Sequence, residues 1–224
     1  MVALKTQTSQ HLGVGLYSMA DAARLLRIKP ATLRLWTSST DRLVPRRLPV
    51  EENSITFAEL MELHFIAMFR SEGVSLQTIR RASMAAAARF STDYPFSVKR
   101  FDTDGRTVFA TLIDEEKDRV VVEDLKKGQY VFDTVMKPFF HWLDFGGEVE
   151  VTRFWPMEKK GRVVLDPQRK FGKPIDAGSG IPTRAIYNAT LAGGGQEPKV
   201  VAKWLGIPLQ AVQAAIAFES SLHE

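Results

Sequence analysis

The sequence predicts an α+β protein that is mainly helical, with helices towards both ends and a β-rich middle. Apolar residues recur every three or four positions over 57–90, which is the spacing of amphipathic helices. Short β-branched and aromatic runs over 96–122 are typical of strands. Glycines separate three further helical segments over 183–218. With 224 residues, 45% of them apolar, the chain is long enough to bury a sizeable core.

These patterns divide the chain into four predicted regions. Residues 1–16 are polar and are expected to form a flexible arm. Residues 17–92 are predicted to be a helical domain, with a small wing in the proline-broken basic stretch at 43–54. Residues 93–158 form the β-rich middle, and residues 159–224 form a C-terminal helical domain. The helices predicted for the first domain cover 17–26, 30–36, 57–70 and 75–90.

The β-rich middle is predicted to consist of hairpins followed by a helix and one more strand. Asp104-Gly105 is expected to form the turn of the first hairpin. Residues 132–145 have a helical pattern despite Pro138, and 148–155 have a strand pattern. The aromatic side chains of this region predict a core, with a partner-binding surface as the alternative. The three hairpin strands are predicted at 96–101, 107–113 and 119–122.

The C-terminal region is predicted to begin with a strand at 162–165. A loop rich in glycine and proline follows, up to residue 182. Three helices then complete the region, at 183–192, 197–205 and 208–218.

The composition excludes several classes of protein. Without cysteine the chain forms no disulfides, thiolate metal sites or cysteine nucleophiles, which fits a reducing, cytoplasmic compartment. No run of about 18 apolar residues is present, so we expect no membrane span. Residues 1–11 have one lysine and no apolar stretch, so we expect no signal peptide.

The net charge of +4 hides an uneven distribution of charge along the chain. Residues 24–47 contain seven basic residues and one acidic residue, whereas residues 102–150 contain six basic and twelve acidic residues. A basic segment of this kind indicates a phosphate-binding module, and a solvated basic surface without a partner is the alternative.

Two segments share the residue spacing of a helix-turn-helix. Such a unit needs a small residue where its helices cross, a turn four residues later, and an apolar residue ten positions after the small one. The C-terminal unit has all three, and the N-terminal unit has arginine instead of glycine at the turn. The prediction of the N-terminal unit therefore depends on whether that arginine can adopt the turn conformation. The residues in question are Ala202, Gly206 and Val212, and Ala23, Arg27 and Leu33.

The two units present different side chains. The first is rich in donors for phosphate oxygens and base edges, and we predict that it binds double-stranded DNA. The second helix of the C-terminal unit has no lysine or arginine, so we predict that it packs against another chain, with Lys199 and Lys203 leaving a minor DNA role open. The predicted DNA-binding residues are Arg24, Arg27, Lys29, Thr32, Arg34, Arg42, Arg46 and Arg47. The predicted dimer or partner contacts are Leu209, Val212, Ile216 and Phe218.

The sequence does not predict an active site, a cofactor or a metal centre. His64 lies on the apolar side of its predicted helix, as core histidines do. His141 and Asp144 could share a helix face, but no third metal ligand is within sequence reach. The glycine runs lack the Lys-Ser/Thr that follows a phosphate-binding loop. We therefore expect that the protein is not an enzyme.

Several of these motifs resemble known families. Tyr17 to Leu26, Thr32 to Trp36 and Ile55 to Ala82 resemble the winged helix-turn-helix domain of MerR-type regulators. Four C-terminal stretches resemble a bacterial domain of unknown function, number 433, which occurs in VapB-type antitoxins paired with PIN-domain ribonuclease toxins. These stretches are 164–167, 171–175, 180–183 and 201–219.

The resemblance implies a cytoplasmic antitoxin that binds its toxin and, as a homodimer, represses its own operon. Arg162, Arg169 and Lys170 are then candidates for pairing with the carboxylates of the toxin's metal site. One alternative is a stand-alone MerR-like regulator whose middle region binds a ligand. Another is an interaction scaffold without a DNA role. Without cysteine, sensing of metals or redox state through thiols is excluded.

Overall fold

The computed structural model describes residues 13–38, 42–45, 53–147, 150–192 and 195–222. These residues form two compact units. One comprises Ser18–Val151, and the other combines residues 13–17 with residues 152–222. The predicted class is confirmed, because the fold is α+β and mainly helical. No single helix in the described ranges has the length and apolar content needed to cross a bilayer.

The described residues of the unit Ser18–Val151 contain six α-helices and a helical segment of mixed type. That segment is π-helical over Phe132–Met136, α-helical over Lys137–Phe139 and 3₁₀-helical over Phe140–Trp142. The six helices are α1 Met19–Leu25, α2 Pro30–Thr37, α3 Phe57–Ser71, α4 Leu76–Phe90, α5 Lys99–Glu115 and α6 Arg119–Val131. Short strands in or at the ends of this unit are β1 Leu16–Ser18, β2 Ser54–Thr56, β3 Leu143–Phe145 and β4 Val151–Phe154.

Local signals in the sequence explain where α3 and α4 begin. The Thr56 hydroxyl accepts a hydrogen bond from the backbone N–H of Glu59 at 3.2 Å, and the Glu59 carboxylate accepts one from the backbone N–H of Thr56 at 2.8 Å. This reciprocal capping box satisfies two N–H groups that the helix itself leaves unpaired. The Ser75 hydroxyl caps α4 by accepting from the backbone N–H of Thr78 at 3.1 Å. The helices predicted at 57–70 and 75–90 are therefore confirmed.

The prediction of a β-rich middle is wrong, because residues 99–131 form the two helices α5 and α6. Phe101, Gly105, Val108 and Phe109 are the buried residues of α5, and their spacing is helical. Asp104-Gly105 lies inside α5 rather than in a hairpin turn. Glycine is needed there because a β-carbon at residue 105 would lie 2.5 Å from the ring of Phe132. The predicted strand at 148–155 is confirmed over Val151–Phe154.

Aromatic rings form the core that joins these helices. The ring centroid of Phe101 lies 5.0 Å from that of Phe96 and 5.1 Å from that of Phe132. Phe69 lies 5.5 Å from Phe96 and 5.7 Å from Phe109. These tilted and edge-on contacts are the arrangements that aromatic pairs prefer. All five rings are fully buried, so Phe96, Phe101, Phe109 and Phe132 of the middle segment serve the core.

The described part of the second unit combines a small two-stranded sheet with three α-helices. β5 Val163–Val164 pairs antiparallel with β6 Ile175–Asp176, and Val163 faces Asp176. The hydroxyl of Tyr17 donates to the carbonyl oxygen of Gly172 at 2.6 Å, which fastens residues 13–17 to this unit. The helices are α7 Thr183–Leu191, α8 Pro198–Leu205 and α9 Leu209–Ser221. Their buried core consists of Ile186, Val201, Ala202, Ile207, Ala211, Val212 and Ala215.

Candidate nucleic-acid interface

The turn between α1 and α2 has the geometry of a helix-turn-helix. Arg27 has a φ of 53°, which places it in the left-handed region that normally favours glycine. Its backbone N–H donates to the carbonyl oxygen of Arg24 at 3.1 Å, and the N–H of Ile28 donates to that of Ala23 at 3.0 Å. These two hydrogen bonds are those of a Schellman turn. Arg27 therefore adopts the turn conformation, and the N-terminal unit forms despite the missing glycine.

Helix α2 presents a cationic surface. Pro30 occupies its first turn, where the absent N–H is tolerated. Leu33 and Trp36 are buried beneath the helix, whereas Arg34 and Leu35 face outwards. The turn contributes two more exposed cations, Arg27 and Lys29. The structure thus brings three of the predicted DNA-binding cations onto exposed positions of one turn and one helix.

The other predicted DNA-binding residues are less accessible or not described. Arg24 and Thr32 are half-buried. Arg42 is also half-buried, and its Nε–H donates to the carbonyl oxygen of Thr37 at 3.2 Å, so it supports the end of α2. Arg46 and Arg47 lie outside the described residues.

His64 is a half-buried residue that lies within the electrostatic reach of Arg27. Its ring stacks on Phe139 with centroids 4.8 Å apart. Burial, together with the positive charge of Arg27, lowers the pKa of His64 to about 4. The ring is therefore neutral near pH 7. In the described ranges, no three or more His, Asp and Glu side chains are grouped so that they could hold a metal ion.

The C-terminal unit repeats the turn of the first. Gly206 has a φ of 65°, and its backbone N–H donates to the carbonyl oxygen of Lys203 at 3.3 Å. The N–H of Ile207 donates to the carbonyl oxygen of Ala202 at 3.0 Å. The crossing predicted from Ala202, Gly206 and Val212 is therefore present, with the same hydrogen bonds as the turn at Arg27.

The predicted partner contacts on α9 need correction. Val212 and Phe218 are 0% and 3% exposed, so they are core residues and cannot contact another chain. Leu209 and Ile216 are half-buried. The apolar sequence of α9 reflects packing within its own unit, because a helix packed on several sides is apolar on several sides. Large exposed apolar residues of this unit include Phe171 and, on α7, Leu191, and two lie on α8, where Trp204 is 75% exposed and Val200 lies one turn before it. The four-residue spacing of Val200 and Trp204 is the signal in the sequence that places both side chains on one face of the helix.

The predicted toxin-contact cations differ in how free they are. The guanidinium of Arg162 forms an ion pair with Asp176, with Nε and Oδ1 2.9 Å apart, so Arg162 is committed within its own unit. Burial raises the pKa of Asp176, but hydrogen bonds from Arg162 and Ser179 outweigh it and leave the pKa below its usual value. Arg169 donates to the carbonyl oxygen of Ala177 at 3.1 Å. Lys170 is exposed.

Phe171 is a feature that sequence reasoning missed. Lys170 and Phe171 have φ values of 47° and 57°, which are two consecutive left-handed residues. The Phe171 ring is 59% exposed. Strained backbone of this kind is concentrated at functional sites. Sequence alone gave no sign of it, because a phenylalanine next to a glycine normally predicts core packing beside a turn.

Comparison with known proteins agrees with this geometry. Residues 17–85 match the family model described as MerR HTH family regulatory protein. The chain is 28% identical over 204 residues to the putative antitoxin VapB45 of Mycobacterium tuberculosis, covering 80% of this chain and 84% of that protein. The fold is similar to the crystal structure of Rv2018 from the same organism, with a TM-score of 0.74 over 92% of this chain and 99% of that one, at 20% identity.

The families behind these matches are regulatory. The resemblance of the C-terminal stretches to the domain of unknown function stays a prediction. Residues 17–85 are thus similar to the MerR helix-turn-helix family, and the chain over most of its length is similar to a putative VapB antitoxin.

Proposed function

We propose that the protein is an antitoxin that binds double-stranded operator DNA through its N-terminal helix-turn-helix. The observation that carries the DNA-binding part is the exposed set of Arg27, Lys29 and Arg34 on the turn and on α2. Guanidinium and ammonium groups at the start of a recognition helix can contact phosphates and the O6 and N7 atoms of guanine. A homodimer would place two such helices in major grooves about 34 Å apart on an inverted repeat.

A charge-removal series tests this interface. Arg34→Ala should weaken binding to the DNA upstream of the gene, and the loss should be greater at low salt, because phosphate contacts release counterions. Arg119→Ala is the matched control, since Arg119 is an exposed arginine at the start of α6 and belongs to neither the turn nor α2. Equal affinity of the Arg34 variant and the wild-type protein in a gel-shift titration would exclude this interface.

The antitoxin assignment is supported by the similarity to the putative antitoxin VapB45. The toxin we propose is a PIN-type ribonuclease, and repression of the shared operon in the cytoplasm follows from the same resemblance. Within the second unit, the accessible residues best suited to a toxin with an acidic metal site are Lys170 and Phe171. An exposed aromatic anchor beside a cation can fill an apolar pocket next to a carboxylate.

Co-purification with the product of the adjacent gene tests the antitoxin part. Tagged wild-type protein should retain that product and inhibit its ribonuclease activity. Lys170→Glu and Phe171→Ser should release it, whereas Arg184→Glu, an exposed charge change on α7, should not. If the wild-type protein neither retains nor inhibits the product, the antitoxin assignment is refuted while DNA binding still stands.

The alternative of a stand-alone regulator with a ligand pocket receives less support. It relied on a β-rich middle, whereas residues 99–131 are helical and their aromatic rings are packed into a core. The identity of the adjacent gene separates the two functions, because only an antitoxin requires a neighbouring ribonuclease gene.

A further inference from the structure

We propose that the C-terminal helix-turn-helix is a second DNA-reading module, with Gln210 and Gln213 facing base edges and Lys199 and Lys203 contacting phosphates. This goes beyond DNA binding by the N-terminal domain, since the N-terminal unit alone suffices for the function proposed above. The ligand is double-stranded DNA that contains A·T base pairs.

The first argument is the equivalence of the two units. Each turn has one left-handed residue, Arg27 or Gly206, and both turns have the same pair of Schellman hydrogen bonds. Counting from these residues, Gln213 stands where Arg34 stands on α2, and Lys203 stands where Arg24 stands on α1. Arg34 is the exposed cation of the first recognition helix, so Gln213 occupies a reading position.

The second argument is what burial leaves on the surface of α9. Its apolar side chains Ala211, Val212 and Ala215 belong to the core of the unit. The first two turns of the helix therefore expose Gln210 and Gln213, which are three residues apart and lie on one face. A glutamine side chain can bond the N6 and N7 atoms of adenine in a bidentate manner, which is specific recognition without a charge.

The third argument is the charge around this face. Arg184, Lys199 and Lys203 are exposed cations of the three helices. Of the two acids in the described part of these helices and their linkers, Glu197 is exposed and Glu219 is buried, where its carboxylate accepts a hydrogen bond from the Thr183 hydroxyl. The exposed charge is therefore positive. Lys199 and Lys203 are four residues apart on α8, the helix that crosses the DNA backbone in this type of unit.

Selection from a random duplex library by the full-length protein tests the proposal. The wild-type protein should enrich sites with two elements. Gln213→Ala should relax the preference at A·T pairs in one element, with about a tenfold loss of affinity for the best site. Arg34→Ala should relax the other element only. Lys199→Ala and Lys203→Ala should each reduce the slope of log affinity against log salt by about 0.9 per bound chain.

Lys173→Ala is the control for charge, because Lys173 is exposed in the same unit but outside the helices. Circular dichroism of each variant checks that the fold is retained. An unchanged selected sequence for Gln213→Ala, with unchanged salt slopes for both lysine variants, overturns the proposal and leaves the N-terminal interface intact. The proposal is also overturned if Lys199→Ala or Lys203→Ala loses toxin retention without any change in DNA binding, because the α8 surface with Trp204 would then be a protein-docking surface. If the wild-type protein enriches no sequence, both DNA interfaces are refuted.

Discussion

Replacing Arg27 with glycine is expected to raise the stability of the protein and lower its affinity for DNA. Arg27 is an L-residue with a φ of 53°, and a left-handed conformation costs such a residue about 1–2 kcal/mol. Glycine removes this cost but adds about 0.4–1 kcal/mol of conformational freedom to the unfolded chain. The net stabilisation is about 1 kcal/mol, which raises the melting temperature by roughly 2–4 °C for a chain of this size.

The same substitution removes one exposed cation from the proposed DNA interface. The slope of log affinity against log salt should fall by about 0.9 per bound chain. Thermal denaturation followed by circular dichroism measures the first effect, and fluorescence anisotropy over a salt series measures the second. Arg27→Lys is the matched control, since it keeps both the charge and the left-handed cost. Gly206→Ala should have the opposite effect on stability, because Gly206 has a φ of 65° and a β-carbon there would meet no neighbour. A lower melting temperature for Arg27→Gly would refute the reasoning about the turn.

Three further substitutions test the two units. Burial raises the pKa of Glu62 to about 8, so the folded protein binds the carboxyl proton more tightly than the unfolded chain does. The free energy of unfolding should therefore fall as the pH rises from about 5 towards 9, by on the order of 4 kcal/mol. Glu62→Gln should abolish that pH dependence in urea denaturation, and equal pH profiles would contradict the assignment. Gly105→Ala would place a β-carbon 2.5 Å from the Phe132 ring, and overpacking should outweigh the gain in helix propensity by about 1–2 kcal/mol, measured as a lower melting temperature. Tyr17→Phe removes the 2.6 Å hydrogen bond to Gly172 and should destabilise the second unit by about 1–2 kcal/mol, seen as faster proteolysis of that unit.

The helices could be predicted from the sequence where the apolar pattern and the capping residues agree. α3 is one example, since its buried stripe and the Thr56 cap point to the same boundaries. α5 could not be predicted, because Gly105 has the signature of a turn when only its neighbours in sequence are considered. Its place in a helix depends on the ring of Phe132, which is distant along the chain. In the first turn of α6, Arg119 is followed by three consecutive valines, and tertiary packing overrides their preference for strands.

The candidate site was predictable in part, for a similar reason. The spacing that identifies a helix-turn-helix reports how two helices cross, and both crossings are present. Exposure is a different property, because it depends on what else packs against the second helix. α2 keeps Arg34 exposed, whereas the apolar residues of α9 are consumed by the core of their own unit. The sequence of α9 therefore predicted an apolar partner-binding surface, whereas the exposed surface of α9 in the folded unit is polar.

The connection of Tyr17 to Gly172 has a consequence for synthesis of the chain. The unit Ser18–Val151 is an insertion within the other unit, because residues 13–17 of that other unit precede it in the chain. On the ribosome, residues 18–151 can fold as soon as they emerge, whereas residues 13–17 must wait until Gly172 has been made. A fragment ending near residue 151 should therefore retain the N-terminal helix-turn-helix. A fragment that begins at residue 152 would lack the tyrosine that closes its own unit.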